Sequence, residues 1–310
     1  MIDIFSVRNF LILALFFTTG CQQSSVPISQ SRHTAVATYD ADISDDGKFS
    51  LVASINHDAV YWDLDKDALL FSWGHSKDSD AGIVAVDISP DGSRAVTATE
   101  KDVAVWDTAT GKNLGFYRLP ESDVRDIAIS DRGEFLIMGL GDGRVIHLDL
   151  SSGRRLEFLA HGEAINSIDI SPNGRYVLSG GNDYNAIFWD SKTGQPLQTW
   201  KHNSRVILVR LSRDGSIAFS AGNKANAFVW DLVTGEQISQ LDLNKRQYVL
   251  SSARFSSGNQ KLLTGAPSRQ LILWNCNDGN LLKQIRVSAR KTNLPSGAII
   301  YAVGFAENGD

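Results

Sequence analysis

Cysteine is nearly absent from this 310-residue chain, and its two copies, Cys21 and Cys276, cannot form a disulfide framework or a four-cysteine zinc site. Long apolar runs are missing as well. The uninterrupted stretch from Phe10 to Phe17 is too short to span a bilayer, which excludes a multi-span membrane protein. There is no basic excess either. Thirty Lys and Arg face 35 Asp and Glu, a net charge of −5, so the phosphate backbone of a nucleic acid is not an expected partner. No stretch of useful length repeats its apolar residues every 3.6 positions, and no extended helix is predicted. What the chain does hold is a 43% hydrophobic composition with 21% charge, enough for a large packed core.

The first 20 residues, MIDIFSVRNFLILALFFTTG, place an apolar core after Arg8 and small residues directly before Cys21, the layout of a cleaved export signal. Thr18, Thr19 and Gly20 before Cys21 resemble the processing box of bacterial lipoproteins. That resemblance implies that the Cys21 sulfur receives a diacylglycerol, that several acyl tails hold the protein on a membrane, and that Gln22 directs it to the outer membrane, facing the periplasm. Residues 21–34 are polar and aperiodic, and read as a flexible tether. With Cys21 acylated, Cys276 has no partner and is expected to be a buried, inert thiol.

From residue 35 to 310 one cassette recurs: ISDDGK at 43, ISPDGS at 88, ISDRGE at 129, ISPNGR at 170 and LSRDGS at 211, with looser copies FSSGNQ at 255 and FAENGD at 305. A second mark follows the first six: YWDL, VWDT, HLDL, FWDS, VWDL and LWNC, with Trp62, Trp106, Leu148, Trp189, Trp230 and Trp274 in register. Both marks keep a period of 41 to 45 residues over these six units. Each unit divides into four short strands. In the fourth, these are INSIDIS, YVLSGG, AIFWD and LQTWK, separated by Asn-Gly and Thr-Gly turns that suit tight reversals.

These residues resemble the WD-repeat β-propeller family, and the resemblance covers residues 35–310. It implies an all-β ring of four-stranded blades. It also implies a buried set in which a His, a Ser or Thr, an Asp and the Trp share hydrogen bonds. In the fourth unit His161, Ser179, Asp183 and Trp189 stand at those places; His202, Ser220 and Trp230 repeat the pattern with Lys224 in place of Asp, and Gly74-His75 begins another. Because His161 and Asp183 recur in phase with the fold, they read as structure and not as a catalytic dyad.

Seven cassettes against six Trp-type marks imply seven blades, the last incomplete. By phase SQSRH (29–33) is its outer strand, and about 20 residues of strand are missing, so the full protein is expected to have about 330–340 residues.

No nucleotide loop, nucleophile elbow or zinc-protease motif occurs, and no metal or cofactor is predicted. GLGDGR (139–144) lacks the last glycine of a dinucleotide fingerprint, and the acidic runs near Asp42 and Asp63 lack the glutamate of a calcium loop. What remains is surface. Four residues before each cassette one column reads Tyr39, Val84, Arg125, Asn166, Ile207, Ser251 and Tyr301, expected at one mouth of the channel. Tyr39 and Tyr301 become neighbours if the ring closes; with Val84 and Arg125 they are the candidate partner site. The expected function is a non-catalytic, lipid-anchored scaffold that binds envelope proteins or peptides, with no small-molecule substrate, and outer-membrane protein assembly as one role. The alternative is a propeller enzyme, a quinone-dependent dehydrogenase or a lactonase.

Overall fold

The computed structural model describes residues 38–54, 58–75, 82–119, 122–224, 226–243, 249–288 and 299–306. The export signal, the tether, Cys21 and SQSRH lie outside the described residues. Within them there are 24 strands in six four-stranded sheets and no α-helix.

The first sheet holds β1 (Thr38–Ile43), β2 (Phe49–Ser54), β3 (Ala59–Asp63) and β4 (Ala68–Trp73), each antiparallel to the next. The second holds β5 (Ala85–Ile88), β6 (Arg94–Ala98), β7 (Asp102–Asp107) and β8 (Asn113–Arg118). In the third are β9 (Val124–Ile129), β10 (Phe135–Leu140), β11 (Arg144–Asp149) and β12 (Arg155–Leu159). The fourth has β13 (Ile165–Ile170), β14 (Tyr176–Gly181), β15 (Asn185–Asp190) and β16 (Gln195–Lys201), the four runs read in its sequence. The fifth has β17 (Val206–Leu211), β18 (Ile217–Gly222), β19 (Ala227–Asp231) and β20 (Gln237–Gln240), and the sixth β21 (Ser252–Phe255), β22 (Lys261–Gly265), β23 (Gln270–Asn275) and β24 (Leu281–Arg286). First strands touch in ring order, β1 to β5 to β9 to β13 to β17 to β21, which makes the sheets the blades of a propeller.

The cassette explains each first turn. Its serine is buried and locks the reversal twice over: Ser171 Oγ lies 2.7 Å from Asn173 Oδ1 and accepts the Tyr176 N–H at 2.9 Å, and Ser44, Ser89 and Ser212 repeat this with Asp46, Asp91 and Asp214. Gly174 then takes φ 68, a conformation that a side chain would oppose. The aspartate after each Trp locks the third turn in the same way, as where Asp231 accepts the N–H groups of Val233 and Thr234.

Apolar faces between blades form the core. Strands two and three are buried over most of their length, whereas fourth strands alternate and face solvent. Aromatic stacking bridges blades where a fourth strand ends in Trp. Trp73 stacks on Trp106 at 5.2 Å and donates its indole N–H to Gly111 O, and Trp200 does the same with Trp230 and Gly235 O.

Residues 299–306 form no strand, yet they run between the sixth blade and the first. Ser251 and Ser252 donate to Ile300 O, Arg254 Nε donates to Val303 O at 3.1 Å, and Phe305 O lies against Gly47.

Candidate functional site

The central channel is walled by the six first strands and carries two distinct constellations, one at each end. At the start of the strands lies the column Tyr39, Val84, Arg125, Asn166 and Ile207. In four blades the ladder skips this residue: Thr38 and Asp40 pair with Ser54 and Ala53, leaving Tyr39 out, and Arg125, Asn166 and Ile207 are skipped in the same way. Each is therefore the extra residue of a β-bulge, a device that re-aims a side chain. Tyr39 is 53% exposed and Arg125 is exposed; Tyr301 is half-buried beside Tyr39 and Asp40, where burial and those neighbours push its hydroxyl up. Val84 instead packs on the core between the second and third blades. No contact among the described residues joins Arg125 to the tyrosines. Asn166 spans blades, donating to Asn182 Oδ1 and Val206 O at 2.9 Å.

Further down the strands the channel turns ionic. Successive blades are hooked by aspartates: Asp42 Oδ2 accepts the Ile88 N–H at 3.1 Å, Asp87 that of Ile129 at 2.8 Å, Asp126 that of Ile168 at 2.8 Å and Asp169 that of Leu211 at 2.7 Å. Asp40 adds a second hook to Val86 at 2.9 Å. At the place of Asp42, Asp87 and Asp169 the last two blades carry Arg210 and Arg254. Arg254 reaches back to the first blade, where its guanidinium meets Asp42 Oδ1 at 2.9 Å, Ile43 O at 2.6 Å and Asp45, and Arg213 meets Asp45 at 2.8 Å.

These groups surround a cavity of about 490 Å³ lined by first strands and by turn residues such as Asp45, Pro90 and Ser257. It opens at the turn end, and none of Tyr39, Val84, Arg125 and Tyr301 lines it. At about 3.3 Å per residue, Tyr39 stands roughly 13 Å along β1 from Ile43, where the strand enters the turn that holds Asp45. Burial raises the Asp40 carboxyl to about 7 and that of Asp126 to about 6; burial, then the charge of Asp42, holds Asp87 well above the carboxylate range. Among the described residues no group of three or more His, Cys, Asp or Glu is placed to hold a metal ion.

The hydrogen-bonded set lies away from the channel, between the strands of one blade. His161 Nδ1 is 2.9 Å from Asp183 Oδ1, its Nε2 is 2.8 Å from Ser179 Oγ, and Trp189 Nε1 donates to the same Oγ at 2.9 Å. Partial burial raises the Asp183 carboxyl, but the bond and charge of His161 outweigh this and hold it at about 2. Two incomplete sets repeat the geometry. His202 meets Ser220 at 2.8 Å and His75 meets Thr97 at 2.8 Å, each with its Trp on the same hydroxyl, while Lys224 and Lys101 stand in the Asp place. Their Nδ1 atoms are buried without a partner, and burial lowers His202 to about 4. In the third blade Asp142 bonds Arg144 instead, and Leu148 fills the Trp place. Cys276 is a buried free thiol pushed up to about 12 by burial.

Residues 68–107 and 153–190 match the model of the family described as WD domain, G-beta repeat. Those two segments are similar to WD repeats. Each match begins at or just before the fourth strand of one blade and ends at the aspartate closing the third strand of the next, so the matched repeat is staggered by one strand from the sheet. Among curated proteins no match was found. WD repeats on a six-sheet propeller support a protein-interaction scaffold in general.

The ionic channel was not singled out from sequence. Its signal was available: Asp-Ile-Ser recurs at Asp42, Asp87 and Asp169, one residue before the cassette serine's neighbour, in a column that then turns to Arg.

Proposed function

We propose that this WD-repeat propeller is a non-catalytic scaffold that binds a polypeptide partner at the mouth carrying Tyr39, Arg125 and Tyr301. The observation that supports this reading is the repeated bulge, which turns the column-opening residue out of the ladder in four blades and leaves Tyr39 and Arg125 exposed on a rigid rim. Exposed aromatic and guanidinium groups on a pre-formed frame bind at small entropic cost.

In this reading residues 299–306 occupy the innermost place of a seventh blade, supported by their position between β21 and β1. Cys21 carries the lipid that tethers the propeller to the cell envelope at the outer membrane, supported by the apolar core and small residues before it. The partners are then envelope proteins, those undergoing outer-membrane assembly among them.

Alanine at Tyr39, Arg125 and Tyr301 together tests the reading. Crosslinked capture from a native envelope should lose its specific partner while the thermal midpoint stays within a few degrees; unchanged capture would sink the proposal.

A further inference from the structure

Among the described residues seven aspartates line the cavity against three arginines. Asp42 and Asp45 meet Arg254 and Arg213, and Asp46 meets Lys48 at 3.8 Å. Asp40, Asp87, Asp126 and Asp169 form no ion pair among the described residues. Each accepts a neighbouring blade's N–H at Oδ2; Asp126 and Asp169 also accept the next residue's N–H at Oδ1, whereas Asp87 Oδ1 accepts none among the described residues. The Arg210 charge acts on Asp169, Asp126, Asp42 and Asp87 and that of Arg213 on Asp169 and Asp87, but Arg210 Nη1 is turned to Val209 O.

Enclosed charge of one sign is costly until a counter-charge enters or protons neutralise it. We propose that the turn-end mouth of the channel docks a basic segment of a polypeptide, inserting an Arg or Lys side chain among Asp40, Asp87, Asp126 and Asp169. A guanidinium fits the arrangement better than a metal ion. The four carboxylates come from four different blades and no three gather as ligands, whereas a planar cation with five donors can bridge carboxylates that stand apart. The volume of about 490 Å³ lies in the range of ligand sites, roughly 300–1,000 Å³, and exceeds what a single ion needs. Burial, the first cause of the raised Asp40 and Asp126 carboxyls, expresses the same cost. A cation placed beside them would favour their charged forms, so docking should release protons near pH 6.5.

The proposal concerns the turn-end mouth, where of the four carboxylates only Asp40 adjoins the tyrosines, and it stands apart from the reading above. Its test is calorimetric titration of the folded protein with a hexa-arginine peptide at low salt, in two buffers of different ionisation enthalpy. The expected result is a saturable site that releases protons at pH 6.5, is weakened at least tenfold in Asp87→Asn and in Asp169→Asn, and is unchanged in Tyr39→Ala. Asp65→Asn makes the same charge change on the exposed surface and should leave affinity within twofold. Asparagine keeps an acceptor for the Ile129 and Leu211 N–H groups, and unchanged circular-dichroism melts confirm that those variants fold. Equal loss in Asp65→Asn, or none in Asp87→Asn, would reduce the binding to surface attraction and overturn the proposal. Free arginine or spermine binding as tightly as the peptide would overturn the polypeptide assignment, and hexaglutamate should not bind.

Discussion

The guanidinium of Arg254 lies 2.9 Å from the carboxylate of Asp42, joining the innermost strand of the last described sheet to that of the first. Between them pass residues 299–306, whose Val303 carbonyl the same Arg254 also holds. The aspartate hooks run from β1 to β17; the return step is carried by Arg254, with partners in the first blade and in residues 299–306, and is assisted by Arg213 on Asp45.

Arg254→Ala should therefore destabilise the propeller by about 2–4 kcal/mol, the cost of stranding partly buried Asp42 and leaving Asp45 to Arg213 alone. Urea unfolding measures it. In a double-mutant cycle Asp42→Asn should recover part of the loss, because it removes the charge left without a partner. Full additivity of the two substitutions would refute the clasp.

The channel carboxylates set a pH dependence whose sign can be worked out. Asp40 rises from 3.8 to about 7 in the folded chain, so the fold holds an extra proton between those values. Its contribution favours the fold below pH 4 and is lost as pH rises to 7. Asp40→Asn should then raise stability at pH 8 by roughly 1–3 kcal/mol and change it little at pH 4.5. Equal effects at both pH values would contradict the assignment.

The incomplete set of the fifth blade can be repaired. His202 Nδ1 is buried with no partner, and Lys224 stands where the fourth blade has Asp183. Lys224→Asp should stabilise by about 1 kcal/mol and raise the histidine above its value of about 4, read by NMR titration. In the complete set Asp183→Ala should cost about 1–3 kcal/mol by leaving the buried His161 Nδ1 unmatched. A neutral result in both would show that these bonds contribute nothing to stability.

Trp200 joins the fourth blade to the fifth through its stack on Trp230 and its bond to Gly235 O. Trp200→Ala should cost about 3–5 kcal/mol, and hydrogen exchange should speed up in β15, β16 and β19 before the other blades.

Blade structure was legible because it repeats. Ser-x-Asp/Asn-Gly and Trp-Asp mark turns whose side chains bond the nearby backbone, and a local bond leaves a local signature: Ser171 with Asn173, Asp231 with Thr234. His161, Ser179, Asp183 and Trp189 could be named in advance because the same offsets recur, with Lys224 as the visible departure. The bulge at Tyr39, Arg125, Asn166 and Ile207 was not legible, since it depends on which residue of β2, β10, β14 or β18 stands opposite. Nor was the ionic channel. An aspartate in a strand reads as a solvent-facing residue, and only ring closure brings Asp87 to the Ile129 N–H or Arg254 to Asp42. The column that turned out to line the mouth and the columns that line the cavity are neighbours in sequence, and the bulge separates them in space.

The central claim, a partner bound at the tyrosine mouth, is tested most directly by placing a photo-crosslinking amino acid at Tyr39, at Tyr301 and, as a control, at the exposed rim residue Val233. Irradiation in the native envelope should give the same discrete polypeptide adduct from positions 39 and 301 and none from 233. No adduct at either tyrosine position, or identical adducts at all three, would contradict the account.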